Sequence, residues 1–333
     1  MKNNNFDLLR LFNYHIDGGG KMLFALLSYL PGVPIFFLIS GFLIAMSYEN
    51  NSNLKEYAKN RILRIYPALY VNIMIGILIL YYFGFVQFNV EFFSWLFAQM
   101  SIVQFYNAEM FRGFGVGVIN GSLWTISVEL TFYIALPIIF YLYKKSIWII
   151  VLIFISSYIF WIYDTTVLTQ FINRDFFGKL FHVSIVPYLF LFIIGIGFYK
   201  FYDNLKKFIE NKFLLWFLLF IIFNLLMNSF IITPNFITYI VKWTIFSFLI
   251  FSFAFSFKDL SKIFLRGNDF TYGIYIYHML IINVFVFLKM TGEMKYFLTI
   301  VILSIVAGII SWFLIEKPFL QLKKHSLFKE IHK

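Results

Sequence analysis

The chain has 333 residues, of which 61% are hydrophobic and only 13% charged, with a mean hydropathy of +0.83. No water-soluble core hides that much apolar surface, so composition excludes an ordinary soluble domain and points to the bilayer. There is no Cys, which removes disulfides, thiolate metal sites and a cysteine nucleophile. An excess of 27 Lys plus Arg over 16 Asp plus Glu is what positively charged cytoplasmic loops produce in a membrane chain. No nucleic acid partner and no metal are expected.

The N-terminal stretch from Met1 to Phe6 is polar and no small-residue cleavage site follows a hydrophobic run, so no cleavable signal is read. Apolar runs of about 20 residues, the length that crosses the hydrocarbon, then follow in order at 22–46, 67–86, 122–143, 147–163, 181–199, 213–232, 236–257, 270–289 and 296–315. Fold class is therefore all-α: a polytopic transmembrane helical bundle with nine clear spans. The stretch Val90–Tyr106 is also apolar but carries Gln99 and Gln104, and reads as an interfacial or re-entrant helix.

Basic residues fall in alternate loops. Lys55, Lys59, Arg61 and Arg64 share one side with Lys144, Lys145, Lys200, Lys206, Lys207, Lys212, Lys258, Lys262, Arg266 and the C-terminal lysines from Lys317 onward. The segments 87–121 and 164–179 on the other side carry few. The positive-inside rule makes the basic side cytoplasmic. That orientation requires one more crossing before 22–46, and the segment Phe6–Tyr14 is less than half the length a crossing needs. The first helix reads as shortened.

Ionisable groups within spans are costly and mark functional positions. In SLWTISVELTFY, the residues Ser122, Thr125, Glu129 and Tyr133 lie on one helical face, which predicts a buried polar stripe. Ser122 and Thr125 read first as interhelical hydrogen-bonding residues, and Glu129 as a functional carboxyl. His278 sits about two turns into its span, with Tyr275 on the same face. It is either a proton-transfer group or a packed residue. Arg61 and Arg64, spaced by three, place two guanidinium groups together where they can fork phosphate oxygens; two arginines beside a span are also what the positive-inside rule alone produces. Arg10 and His15 form an N-terminal pair, His15 being a candidate general base if its helix enters the membrane. His182 falls at an outer interface, and His325 and His332 in the tail.

The segments FDLLRLF at 6–12, GVPIFFLISGFLI at 32–44, RILRIYPALY at 61–70, SLWTISVELTFY at 122–133, YGIYIYH at 272–278 and IEKPF at 315–319 stand in the order found in the bacterial membrane acyltransferase 3 family, which the chain resembles. The resemblance implies a single membrane acyltransferase domain over 1–333, with residues 1–21 as the shortened first helix and its loop and 317–333 as a cytoplasmic tail. It also implies ten spans, acyl-CoA as donor, acetyl as the expected acyl group, and a carbohydrate acceptor such as O-antigen, capsule or exopolysaccharide, in the bacterial inner membrane with the C-terminus cytoplasmic. On that likeness His15, Glu129 and His278 are the catalytic group, while Arg10, Arg61 and Arg64 hold the donor. The family spaces its first-span arginine and histidine by about ten residues, whereas only four separate Arg10 from His15. Two rivals follow from the same residues: a proton-coupled transporter using Glu129 and His278 as a relay, and a catalytically impaired relative.

Overall fold

A computed structural model describes residues 30–50, 53–164, 176–229, 231–233 and 235–322. Arg10 and His15, the shortened first helix and the tail beyond Leu322 lie outside the described residues. Among the described residues the secondary structure is entirely helical. In chain order the helices are α1 (Gly32–Glu49), α2 (Leu54–Tyr82), α3 (Val90–Met100), α4 (Trp124–Lys145), α5 (Ile147–Tyr163), α6 (Phe176–His182), α7 (Leu189–Lys200), α8 (Tyr202–Ile209), α9 (Phe213–Asn228), α10 (Phe236–Ser256), α11 (Lys258–Leu265), α12 (Thr271–Phe287) and α13 (Met294–Ser311). A π-turn at Trp312–Glu316 continues α13 into a last helical turn.

Six of these helical segments are long and apolar enough to cross a membrane, and the α8–α9 pair, bent by 76°, adds a seventh if it is one span. α5 and α12 are apolar but have 17 residues each, or roughly 25 Å at 1.5 Å per residue against a ~30 Å core. Each of the nine predicted apolar runs carries helix within its described residues, but only six or seven of the helical segments have the length and apolarity of a span. The boundaries move where backbone chemistry decides them. The run at 181–199 is broken because Pro187 cannot donate a helical hydrogen bond and restrains Val186 before it; a 3-10 turn at Val186–Tyr188 separates α6 from α7. The run at 67–86 instead begins at Leu54, so Arg61 and Arg64 lie within α2 itself, ahead of Pro67.

The described chain divides into two compact units. The first comprises α2, α3, the loop at 101–123, the start of α4 to Leu130, and everything from Asn268 onward. In it, α12 and α13 pack backbone to backbone at Gly273 and Gly308: a Cβ on Gly308 would lie 2.5 Å from Ile274 Cγ1 and 2.7 Å from its backbone N. Small residues permit such close approach between helices in lipid. Phe287 at the end of α12 meets Phe83 and Phe114, at 4.8 and 5.0 Å between ring centroids, which closes that end of the unit with edge and tilted aromatic contacts.

The second unit contains α1, the rest of α4 and helices α5 to α11. Its closest crossing pairs Gly41 of α1 with Gly195 of α7, where a Cβ on Gly195 would stand 2.1 Å from Leu38 O. Phe132 stacks on Phe192 at 4.2 Å and meets Phe37 edge-on at 5.2 Å. Phe abundance is thus spent partly on specific ring packing inside the unit and partly on exposed residues such as Phe93 and Phe97.

Candidate active site

The first unit gathers most of the polar residues singled out above. The stripe is buried as expected: Ser122, Thr125, Glu129 and Tyr133 are all under a tenth exposed. Ser122 precedes α4 rather than lying in it, since that helix begins at Trp124. Thr125 Oγ1 and Tyr275 Oη lie 3.0 and 3.1 Å from Ser122 O and hydrogen-bond to one another, so one hydroxyl donates to the carbonyl while the other donates to its neighbour. The start of α4 is thereby tied to α12. One turn further along α12, His278 Nδ1 sits 2.5 Å from Tyr275 O. A carbonyl oxygen only accepts, so Nδ1 carries a proton, and in the neutral ring Nε2 then presents the lone pair. The Tyr275 and His278 rings lie 5.7 Å apart between centroids. Glu129, buried on α4, is within electrostatic reach of Tyr272 and Tyr275.

A set of amides holds this arrangement in place. Asn120 Nδ2 donates to Asn72 Oδ1 at 3.0 Å and to Ile276 O at 2.7 Å, while its Oδ1 accepts from the Ser122 hydroxyl at 2.7 Å and the Ser122 N–H at 3.2 Å. Asn72 Nδ2 donates to the same Ile276 O at 2.9 Å. Asn283, fully buried, donates to Val118 O and Ile119 O at 2.8 Å and accepts from Val116 N at 2.9 Å. Gln99 and Gln104, the polar residues of the predicted interfacial stretch, serve the loop in the same way. Gln99 donates to Tyr106 O at 2.8 Å, and Ser127 donates to Gln104 Oε1 at 2.6 Å. Asn283 and Gln99 thereby satisfy backbone groups of the irregular segment 101–123, as buried non-helical chain requires. None of the three asparagines is ionisable, so the cost of charge in apolar runs does not mark them; their one signal in sequence is a bare amide within VNIMIG, VING and IINVF.

Arg64 on α2 pairs with Asp269, whose carboxylate also accepts from Thr271 N, at the first residue of α12, at 3.1 Å. Burial alone would raise the pKa of Asp269; the Arg64 charge and the hydrogen bonds from Thr271 and Arg64 outweigh it and hold the carboxyl below its usual value. Tyr272 Oη donates to Ile65 O at 3.0 Å, fixing α12 against α2 beside the pair. Arg61, one turn earlier, has its guanidinium 5.9 Å from the Tyr57 ring centroid, a cation–π contact at the outer limit of range. Glu316 lies in the π-turn, buried, where it accepts from Ser311 at 2.8 Å. Trp312 Nε1 donates to Asn268 Oδ1 at 2.9 Å, anchoring that turn next to Asp269. Asp269 was not foreseen because it falls between the apolar runs, where an ionisable group carries no cost that would mark it.

His182 belongs to the second unit. There its Nδ1 lies 2.9 Å from the buried Asp164 carboxylate and 3.5 Å from Tyr188 Oη. Among the described residues no cluster of three or more His, Asp or Glu could hold a metal ion.

Comparison with known proteins identifies a family. The family model for an acyltransferase domain matches residues 6–316. Nodulation protein 10 of Rhizobium leguminosarum bv. viciae is 30% identical, with 96% of this chain and 94% of the relative covered. An O-acetyl transferase of Shigella phage Sf6 is 32% identical over 37% of this chain and 39% of its own. No solved structure matches. A family match running from the FDLLRLF segment through the buried Glu316, on a chain of successive apolar helices, makes this protein a multi-pass membrane acyltransferase belonging to the acyltransferase 3 family.

Proposed function

We propose that the protein moves an acyl group, acetyl in the first instance, from acyl-CoA to a hydroxyl of a cell-surface polysaccharide or its lipid-linked precursor. The acyl choice draws on the O-acetyl transferase relative. The enzyme acts in the bacterial inner membrane with its C-terminus cytoplasmic, as the distribution of basic residues favours.

In this reading Arg61 and Arg64 engage the donor's phosphates, with Arg10 contributing from the N-terminal segment. Two guanidinium groups one turn apart on α2 suit forked recognition of phosphate. His15 takes the proton from the acceptor hydroxyl as its oxygen attacks the thioester carbonyl. The C–S bond breaks, CoA leaves as thiolate and receives the proton, and the new ester remains on the sugar. Glu129 and His278 orient the reacting groups and stabilise charge at the tetrahedral stage. The observation that carries the reading is the assembly of Arg64, Thr125, Tyr275, His278 and Glu129 in one unit by α2, α4 and α12.

The test is equilibrium binding of acetyl-CoA to protein in lipid nanodiscs, paired with transfer of labelled acetyl to surface glycan in cells. Replacing both arginines (Arg61→Gln with Arg64→Gln) removes two charge-assisted contacts, and the dissociation constant should rise at least ~30-fold. A folded double variant that binds acetyl-CoA as the parent does would remove these arginines from the donor site.

A further inference from the structure

The second unit contains a cavity of about 210 Å³ that the acyl-transfer chemistry does not use. Its walls come from α4, α5 and α7, with Ile139 and Phe140, Ile150 and Phe154, and Ile193 and Gly197 among them. Lys200 is the one charged residue in the lining. An apolar cavity of ~150 Å³ already holds benzene, so this one has room for a stretch of roughly seven methylenes, taking each as about the ~30 Å³ share of a water.

Charge is distributed unevenly around it. Lys200 stands at the C-terminal end of α7, pairs with Glu49 and lies 4.9 Å from the centroid of the Phe140 ring, itself in the wall. Lys144 and Lys145, both exposed, end α4 between the lining residues Tyr143 and Ile147. Lys200 pairs with Glu49 and the nearby Asp203 with Lys206, so Lys144 and Lys145 leave an excess of positive charge at that end. The wall is also open at one point by virtue of its sequence: a Cβ on Gly197 would have no heavy atom within 4 Å. A glycine within an apolar helix that packs against nothing leaves volume for something else.

We propose that this cavity takes one acyl chain of an anionic phospholipid, with the lipid phosphate held by Lys144, Lys145 and Lys200. The occupant is a lipid because the walls are hydrocarbon and come from apolar helices, α4 and the segment that ends in α7 being long enough to cross a membrane. It is anionic because the charged side chains at the mouth are predominantly basic, and each lysine near an anionic headgroup favours it by about fivefold. Lys200 exchanges its contact with Glu49 for one shared with the phosphate.

Native mass spectrometry on detergent-purified full-length protein tests this, using phosphatidylglycerol and phosphatidylcholine of identical acyl chains as probes. The wild type should retain phosphatidylglycerol over phosphatidylcholine by at least fivefold. Lys144→Gln with Lys145→Gln, both exposed, Lys145 with its ammonium 4.6 Å from the Tyr141 ring centroid, should bring the ratio towards one, and adding Lys200→Gln should abolish it. Gly197→Leu fills the void from within a helix that tolerates leucine, and should lose the bound phosphatidylglycerol while keeping the parent's thermal midpoint. Equal retention of the two lipids, a lysine double variant with the parent's selectivity, or a folded Gly197→Leu protein that keeps its lipid would each overturn the proposal.

Discussion

Asp269→Asn separates the charge on Arg64 from its geometry. Asparagine keeps an oxygen that can accept from Thr271 N, now at 3.1 Å from the carboxylate, so that contact with the start of α12 survives while the negative charge beside Arg64 disappears. The side chains of Arg64 and Asp269 are 26% and 40% exposed. At that exposure solvent screens the pair, and its worth is about 0.5–1 kcal/mol. An anionic donor arriving at Arg64 competes with that carboxylate and is repelled by it, so removing the charge should tighten acetyl-CoA binding about two- to fivefold. Arg64→Gln should shift it the other way. Both effects should shrink as salt rises from 0.1 to 0.5 M, when the screening length falls to a few ångströms. Acid would mimic the substitution only at low pH. Because the folded carboxyl titrates below its ordinary value, the stability the pair contributes is fully present above the unfolded pKa of ~3.9 and is lost as pH falls through the lower folded one. Binding by this route is therefore flat between pH 6 and 8. A folded Asp269→Asn protein with weaker acetyl-CoA binding at low salt would show that Asp269 aims Arg64 at the donor, and would refute competition between carboxylate and donor.

Asn120→Ala removes four buried hydrogen bonds; at ~0.6 kcal/mol for each polar contact in a membrane protein the loss is about 2 kcal/mol, visible as a thermal midpoint several degrees lower by fluorescence-detected size exclusion. An unchanged midpoint would mean the amide set carries no net stability. Gly308→Ala places a methyl group 2.7 Å from the backbone N of Ile274, which cannot rotate away, so α12 and α13 must separate and the yield of monodisperse protein should drop sharply. His278→Gln preserves a donor towards Tyr275 O but removes the imidazole, and should lower kcat by about 10²-fold with little change in thermal midpoint. Full activity would return His278 to the status of a packed residue.

What could be read from the chain alone was set by how costly each group is in hydrocarbon. The apolar runs were legible because length and hydropathy decide whether a segment can cross the bilayer, and Glu129 and His278 stood out because an ionisable group at depth needs a reason. Their partners were not legible. Thr125 meets Tyr275 across 150 residues of sequence, and Asn72 shares Ile276 O with Asn120 across more than 150; no local spacing encodes such pairs. Val90–Tyr106 shows the intermediate case. Its two glutamines signalled that the segment is not an ordinary span, while the reason, satisfaction of the loop carbonyls and Ser127, needed the fold.

The same cost argument explains why the amides and the ionisable groups are interleaved. A carboxyl such as Glu129 and an imidazole such as His278 hold their positions in a low-dielectric interior only if the helices carrying them cannot slide, since a small shift would leave each facing hydrocarbon. Asn72, Asn120 and Asn283 supply that constraint. Each spends its donors on a backbone carbonyl of another segment, and Asn72 and Asn120 both choose Ile276 O, two residues before His278. Neutral amides do this without adding a charge that would compete for an anionic donor or perturb a proton-transfer group. Substituting Asp for Asn at 120 would supply comparable bulk but set a carboxylate oxygen against Ile276 O and Asn72 Oδ1. It should therefore disturb the register of α12 against α4 more than alanine does, and depress kcat in step with that displacement.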